Sequence, residues 1–186
     1  MKRLRAGFGL VAVTALAACS TGGLGASDNV YAPGIAPGAQ AVDGLVVAQR
    51  LMDAGEYELA LEAYSRAALT YGFNVDVLSG LGSANLGLGR LGQAETLLRR
   101  AIETDEAIPE VWNNLGVVLM ERSKLAEAVQ IFKKAYALDN GESDSIRDNL
   151  RLALAKYENR DYDEQQEQDY KLVWRGNGSY LIRRIP

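Results

Sequence analysis

One thiol, Cys19, and 24 Asp and Glu side chains are the groups in this 186-residue chain best suited to bond-making chemistry, because the sequence contains no His. A Cys without a His lacks the base that usually activates it, and one Cys cannot close a disulfide within its own chain. Without His and with a single Cys, there is no soft-ligand cluster for zinc, copper or iron–sulfur. Carboxylates can still work as acid–base pairs. However, Glu56, Glu58, Glu62, Glu95, Glu103 and Glu127 lie mostly at solvent-facing positions of the periodic pattern described below, where charge keeps a protein soluble. A carboxylate-dependent hydrolase is therefore a distant alternative. Gly80-Leu81-Gly82 and Gly87-Leu88-Gly89 are explained by helix packing and punctuation rather than by phosphate binding. The expectation is no enzyme, no cofactor and no metal.

The elements around Cys19 give it a different chemistry. Residues 1–18 carry Lys2, Arg3 and Arg5 and then an uncharged stretch to Ala18, the layout of a secretory signal and too short to span a bilayer. Leu16-Ala17-Ala18-Cys19 resembles the bacterial lipobox. The resemblance implies cleavage before Cys19 and lipidation of its thiol, with more than one acyl chain anchoring the protein stably to a membrane surface. Ser20 after the Cys, by the same resemblance, favours the outer membrane, facing the periplasm. Cleavage removes three positive charges and leaves 17 Lys and Arg against 24 Asp and Glu, a net charge of −7. So acidic a chain argues against nucleic acid as a partner.

Residues 20–40 hold five Gly, two Pro and one charged side chain, Asp28, with no apolar period. They read as a flexible tether, and some 20 residues of that kind reach roughly 25 Å. From residue 41 the chain repeats with a period of 34, dividing into 41–74, 75–108 and 109–142. Small residues recur in register: Ala48, Gly82 and Gly116 at the eighth position, Ala60, Ala94 and Ala128 at the twentieth, and Ala67, Ala101 and Ala135 at the twenty-seventh. Large apolar residues recur between them, among them Tyr64, Leu98 and Phe132. The fifteenth position holds Gly55, Gly89 and Ser123, where a chain turning between two helices can use positive φ.

This pattern resembles the tetratricopeptide repeat, and 109–142 is the best copy: Trp112, Leu115, Gly116, Leu119, Leu125, Ala128, Phe132 and Ala135 fall on signature positions. Repeats one and two depart from it, with Gly44 and Leu78 in place of the aromatic at the fourth position and Asn85 in place of the large residue at the eleventh. The expected fold is all-α, a solenoid of three helix-turn-helix repeats. Residues 143–160 supply a capping helix or degenerate fourth repeat, with Ile146, Leu150, Ala153 and Tyr157 on one face. Residues 161–186 comprise an acidic linker and a candidate β-hairpin, in which 171–174 and 179–182 flank the turn sequence Arg175-Gly176-Asn177-Gly178.

Family geometry places positions 2, 5, 9 and 12 of each repeat on a concave surface that binds segments of other proteins. The expected protein-binding groove is therefore Gln49 and Met52, Ser83 and Leu86, and Asn113, Val117 and Met120, joined by Val42, Leu45, Asp76, Ser79 and Glu110. No Lys or Arg is among them, so the groove suits an amphipathic or weakly basic segment. The whole layout resembles the repeat lipoproteins of Tad (Flp) pilus assembly, the TadD family, and the type IV pilotins. That resemblance implies a scaffold for envelope assembly whose partner is a secretin or another pilus component. The alternative is a general envelope adaptor for cell-wall enzymes or outer-membrane assembly factors.

Overall fold

The computed structural model describes residues 42–104, 108–158 and 170–185. The signal segment, Cys19, the tether 20–40 and the acidic stretch 161–169 lie outside them. Among the described residues, seven helices are followed by two strands. In chain order they are α1 (Gly44–Asp53), α2 (Tyr57–Tyr71), α3 (Val75–Gly87), α4 (Leu91–Ile102), α5 (Pro109–Glu121), α6 (Leu125–Leu138) and α7 (Asp144–Glu158), then β1 (Tyr170–Trp174) and β2 (Tyr180–Arg184). None of these helices is long and apolar enough to cross a membrane.

The ends of the helices follow from local chemistry. Asp43 caps α1 by accepting from the Leu45 N–H at 2.8 Å, Asn74 caps α3 through the Val77 N–H at 3.0 Å, and Pro109 opens α5, where its missing N–H costs nothing. The turn inside each pair is built the same way three times. Gly55, Gly89 and Ser123 take φ of 77°, 71° and 58°, and the next residue donates its N–H back to Leu51, Asn85 or Leu119 at 2.8–2.9 Å. This closes the helix end in a Schellman-type turn. Ser123 adopts a conformation that glycine takes more cheaply.

Packing is nearest-neighbour, helix on helix along the chain, as a solenoid requires. Ala60, Ala94, Ala128, Ala101 and Ala135 are fully buried. Gly116 allows a close approach: a Cβ there would lie 2.7 Å from the Phe132 ring, so the small residue is what lets α5 and α6 meet. One core gathers Met52, Tyr64, Val77 and Leu81 between the first pair and α3. A second gathers Leu98, Leu115, Val118, Phe132 and Ala153 from the later helices. Trp112 is half-buried, with the Lys134 ammonium 5.9 Å from its ring centroid. The last helix, α7, packs on α6 and buries Ile146, Asn149 and Ala153.

β1 and β2 pair antiparallel, with Tyr170 opposite Arg184 and Trp174 opposite Tyr180. Gly176 and Gly178, at φ of 69° and 86°, turn the chain, and Arg175 closes the loop by donating its N–H to Ser179 O at 3.0 Å. The hairpin does not stand alone. β2 lies against α5 and α7, and Tyr180 and Ile182 belong to the second core.

Candidate functional site

The hairpin sits on the face made by the first helix of each pair, and it is held there largely by asparagines. In an antiparallel pair, alternate residues of a strand point their N–H and C=O away from the partner strand. On β2 these are Tyr180 and Ile182, and side-chain amides from α5 and α7 meet them. Asn114 Oδ1 accepts from the Tyr180 N–H at 2.9 Å, while Asn113 Nδ2 and Asn149 Nδ2 donate to Tyr180 O at 2.9 and 2.8 Å. Asn149 Oδ1 accepts from the Ile182 N–H at 2.9 Å, and Asn114 Nδ2 donates to Gly178 O at 2.8 Å. The amides also hold one another: Asn149 donates to Asn113 Oδ1 at 2.9 Å, and Asn114 donates to Ser83 Oγ at 3.0 Å. All three asparagines are at most 1% exposed. Buried amides of this kind are tolerable only when every group is partnered, and no buried side-chain N or O among the described residues lacks a hydrogen bond.

Tyr180 anchors the hairpin. Its ring is 1% exposed, its hydroxyl donates to Ser83 O at 3.1 Å, and the Trp174 ring meets it edge-on with centroids 5.0 Å apart. Burial, with the Tyr57 hydroxyl beside it, pushes the Tyr180 phenol well above its ordinary range. Trp174 Nε1 reaches across to Asp53 Oδ1 at 2.9 Å and so ties the hairpin to the end of α1.

The rest of the groove is open. Between α1, the start of α3, the start of α5 and the hairpin turn lies a cavity of about 410 Å³, walled by Leu45, Gln49, Tyr64, Asp76, Ser79, Ser83, Glu110 and Trp174 together with the backbone of Gly176–Gly178. Tyr64 donates to Gln49 Oε1 at 3.3 Å. Burial raises the Tyr64 phenol to about 12, with Asp53 and Asp76 adding to the effect by making the surroundings negative.

The expected groove residues therefore separate into three groups. Gln49 and Ser83 line the cavity; Ser83 and Asn113 also hold the hairpin, directly or through Asn114. Met52, Leu86, Val117 and Met120 are buried, at most 7% exposed, and pack in the two cores instead of facing open solvent. The chain's own C-terminal segment also occupies part of this face, with Tyr180 and Ile182 in the core that holds Leu86, Val117 and Met120. Asn114, Asn149, Trp174 and Tyr180 escaped the sequence reading, although mid-helix asparagines on otherwise apolar faces were a usable signal, since each demands a partner.

The carboxylates show a similar correction. Glu95, expected at a solvent-facing position, is 7% exposed and holds three cations: Arg99 at 2.8 Å, Arg122 at 2.8 Å and Lys124 at 2.8 Å. Arg99 also reaches Glu127 at 2.7 Å, which links α4 to α6. Among the described residues, no three Cys, Asp or Glu side chains group as metal ligands would.

A family model for the tetratricopeptide repeat matches residues 47–107 and 79–143, together more than half of the chain. Solved structures agree on the fold. The repeat domain of Sgt2 from Aspergillus fumigatus superposes with a TM-score of 0.60 at 21% identity, covering 64% of this chain and 80% of that one. The second repeat domain of human RPAP3, solved with an HSP70 peptide, gives 0.54 at 24% identity over 64% and 98% of the two chains. The Yersinia enterocolitica type III secretion translocator chaperone SycD gives 0.55 at 18% identity over 62% and 92%. Among curated proteins none matches. The 34-residue period, the thrice-repeated turn and the family match lead to one conclusion: the chain belongs to the tetratricopeptide repeat family.

Proposed function

We propose that the chain is a protein-interaction scaffold anchored by lipid on Cys19 to the bacterial outer membrane, where its repeats face the periplasm and serve the assembly of a Tad-type pilus. One observation carries the interaction reading. The repeat face already holds an extended strand, with Asn113, Asn114 and Asn149 bonded to the backbone of β2, so it has both the shape and the hydrogen-bonding groups to hold protein segments. The RPAP3 repeat domain, which shares the fold, holds a peptide of another protein. The anchoring reading rests on the coincidence of a basic start, an apolar stretch and Leu16-Ala17-Ala18-Cys19. The pilus reading rests on the resemblance of the whole layout.

Crosslinking of the tagged, lipidated protein in its native host, followed by mass spectrometry, tests the function. Recovery of a secretin or another pilus component supports it. Recovery of cell-wall enzymes or outer-membrane assembly factors instead replaces the pilus reading with a general envelope adaptor. For the anchor, Cys19→Ser should abolish incorporation of labelled palmitate, and continued labelling would overturn it.

A further inference from the structure

We infer that the open half of the groove is a docking site for a basic segment of a partner protein, with a Lys or Arg side chain entering the cavity that carries Asp76 and Glu110. The inference rests on the interaction-scaffold reading above and names the chemistry of what is bound.

Charge is the first argument. Several carboxylates elsewhere are paired, such as Glu58 with Arg90, Glu95 with three cations, and Glu127 with Arg99. Asp76 and Glu110 face the cavity with no ion-pair partner among the described residues, and no Lys or Arg lines it. Both belong to the first turn of a helix, where the helix dipole favours a carboxylate. That explains why an acid suits each position, but not why both face one cavity. The negative potential is felt by a third group, since Tyr64 is pushed upward by Asp53 and Asp76 as well as by burial.

Shape and surface chemistry agree. The rings of Tyr64 and Trp174 wall the cavity, and a cation over an aromatic face gains further attraction. Val46 and Ile108, 43% and 54% exposed, also line the cavity and offer apolar contact to the residues flanking the cation. The fourth wall is the hairpin turn, Gly176–Gly178, so the docked C-terminal segment completes this site even as it fills the neighbouring half of the groove. The occupant that fits is a segment with a Lys or Arg between apolar residues.

The test is a titration of the isotope-labelled full chain with the capped peptide acetyl-Ser-Val-Lys-Val-Ser-amide and its Glu counterpart, read by NMR. The Lys peptide should shift the Trp174 indole and the Gly178 and Ser79 amides saturably, and added salt should weaken it because the attraction is between charges. The Glu peptide should leave these signals in place. Asp76→Asn with Glu110→Gln should weaken the Lys peptide by about tenfold, and Glu110→Lys should reject it and admit the Glu peptide. Equal shifts from both peptides, or undiminished binding by the double variant with an unchanged melting curve, would overturn the proposal. If crosslinking maps a native partner to this face while the Lys peptide leaves these signals unmoved, the basic occupant is wrong and the scaffold stands. If the peptide binds as described but no partner is recovered, the site stands and the scaffold reading fails.

Discussion

Two polar networks hold this molecule together, and they obey opposite rules. The asparagine ladder in the groove is neutral, buried and joins residues up to 67 positions apart. The Glu95 cluster is charged, sets a buried carboxylate among partly exposed cations, and joins positions 4 to 29 apart, about one repeat at most. The second kind of network comes readily to a repeat protein, because a period of 34 places equivalent positions of adjacent repeats side by side. The first kind needs a segment from outside the repeats. The solenoid thus stabilises itself through its neighbours, whereas the hairpin is held by groups with no counterpart in earlier repeats.

The largest effect should come from breaking the groove network at its anchor. Tyr180→Ala removes a fully buried ring, its bond to Ser83 O and its contact with Trp174, and should cost about 3–5 kcal/mol in denaturant unfolding. The seven helices should keep their far-UV signal, and loss of helix along with the hairpin would show that the two regions are one cooperative unit. Asn149→Ala comes next. It strips two hydrogen bonds from β2 and leaves buried groups unpaired, so it should cost about 1–3 kcal/mol. Salt should not change that cost, since no charge is involved. A strong salt dependence would mean that the ladder is wetter than its burial implies.

Legibility in the sequence follows the same division. The period, the small residues at Ala60, Ala94 and Ala128, and the turn residues Gly55, Gly89 and Ser123 could be read because a solenoid writes each structural need three times. The hairpin could be read as an element, from β-prone runs around a glycine turn. Its docking could not, because Asn113 and Asn149 are written once, and one residue cannot reveal a partner that lies 67 or 31 positions away. The groove positions Met52, Leu86 and Met120 read equally well as binding or as packing residues, and the structure buries all three together with Val117. The burial of Glu95 is not legible because its cations come from two places, Arg99 within its own helix and Arg122 and Lys124 in the turn between α5 and α6.

A change in the apolar core sharpens the comparison. Ala128 is fully buried at a small-residue position of the third pair. Ala128→Leu should overpack α6 and cost about 1–3 kcal/mol, measured as a lowered denaturation midpoint. An unchanged midpoint would mean that the helix pair can separate freely there, contrary to the 2.7 Å approach at Gly116.

The smallest effect, and the one that separates the two networks most cleanly, is the pH dependence of Glu95. Burial alone would raise its carboxyl; the hydrogen bonds from Lys124 and Arg99 outweigh burial and hold it below its ordinary 4.5. A carboxylate depressed in the folded state binds protons more readily when unfolded, so it stabilises the protein above the unfolded pKa and loses that contribution as pH falls through the folded one. Glu95→Gln should therefore be less stable than the parent at pH 7 by about 1 kcal/mol or less, as expected for a partly exposed ion cluster. The gap should persist down to about pH 4.5 and close as the solution is acidified further. Added salt should narrow it at pH 7 as well. Asn149→Ala, measured over the same range, should show a gap that neither acid nor salt alters, because nothing in the asparagine ladder takes up a proton. If the two variants respond to acid alike, the division between a charged network and a neutral one is wrong.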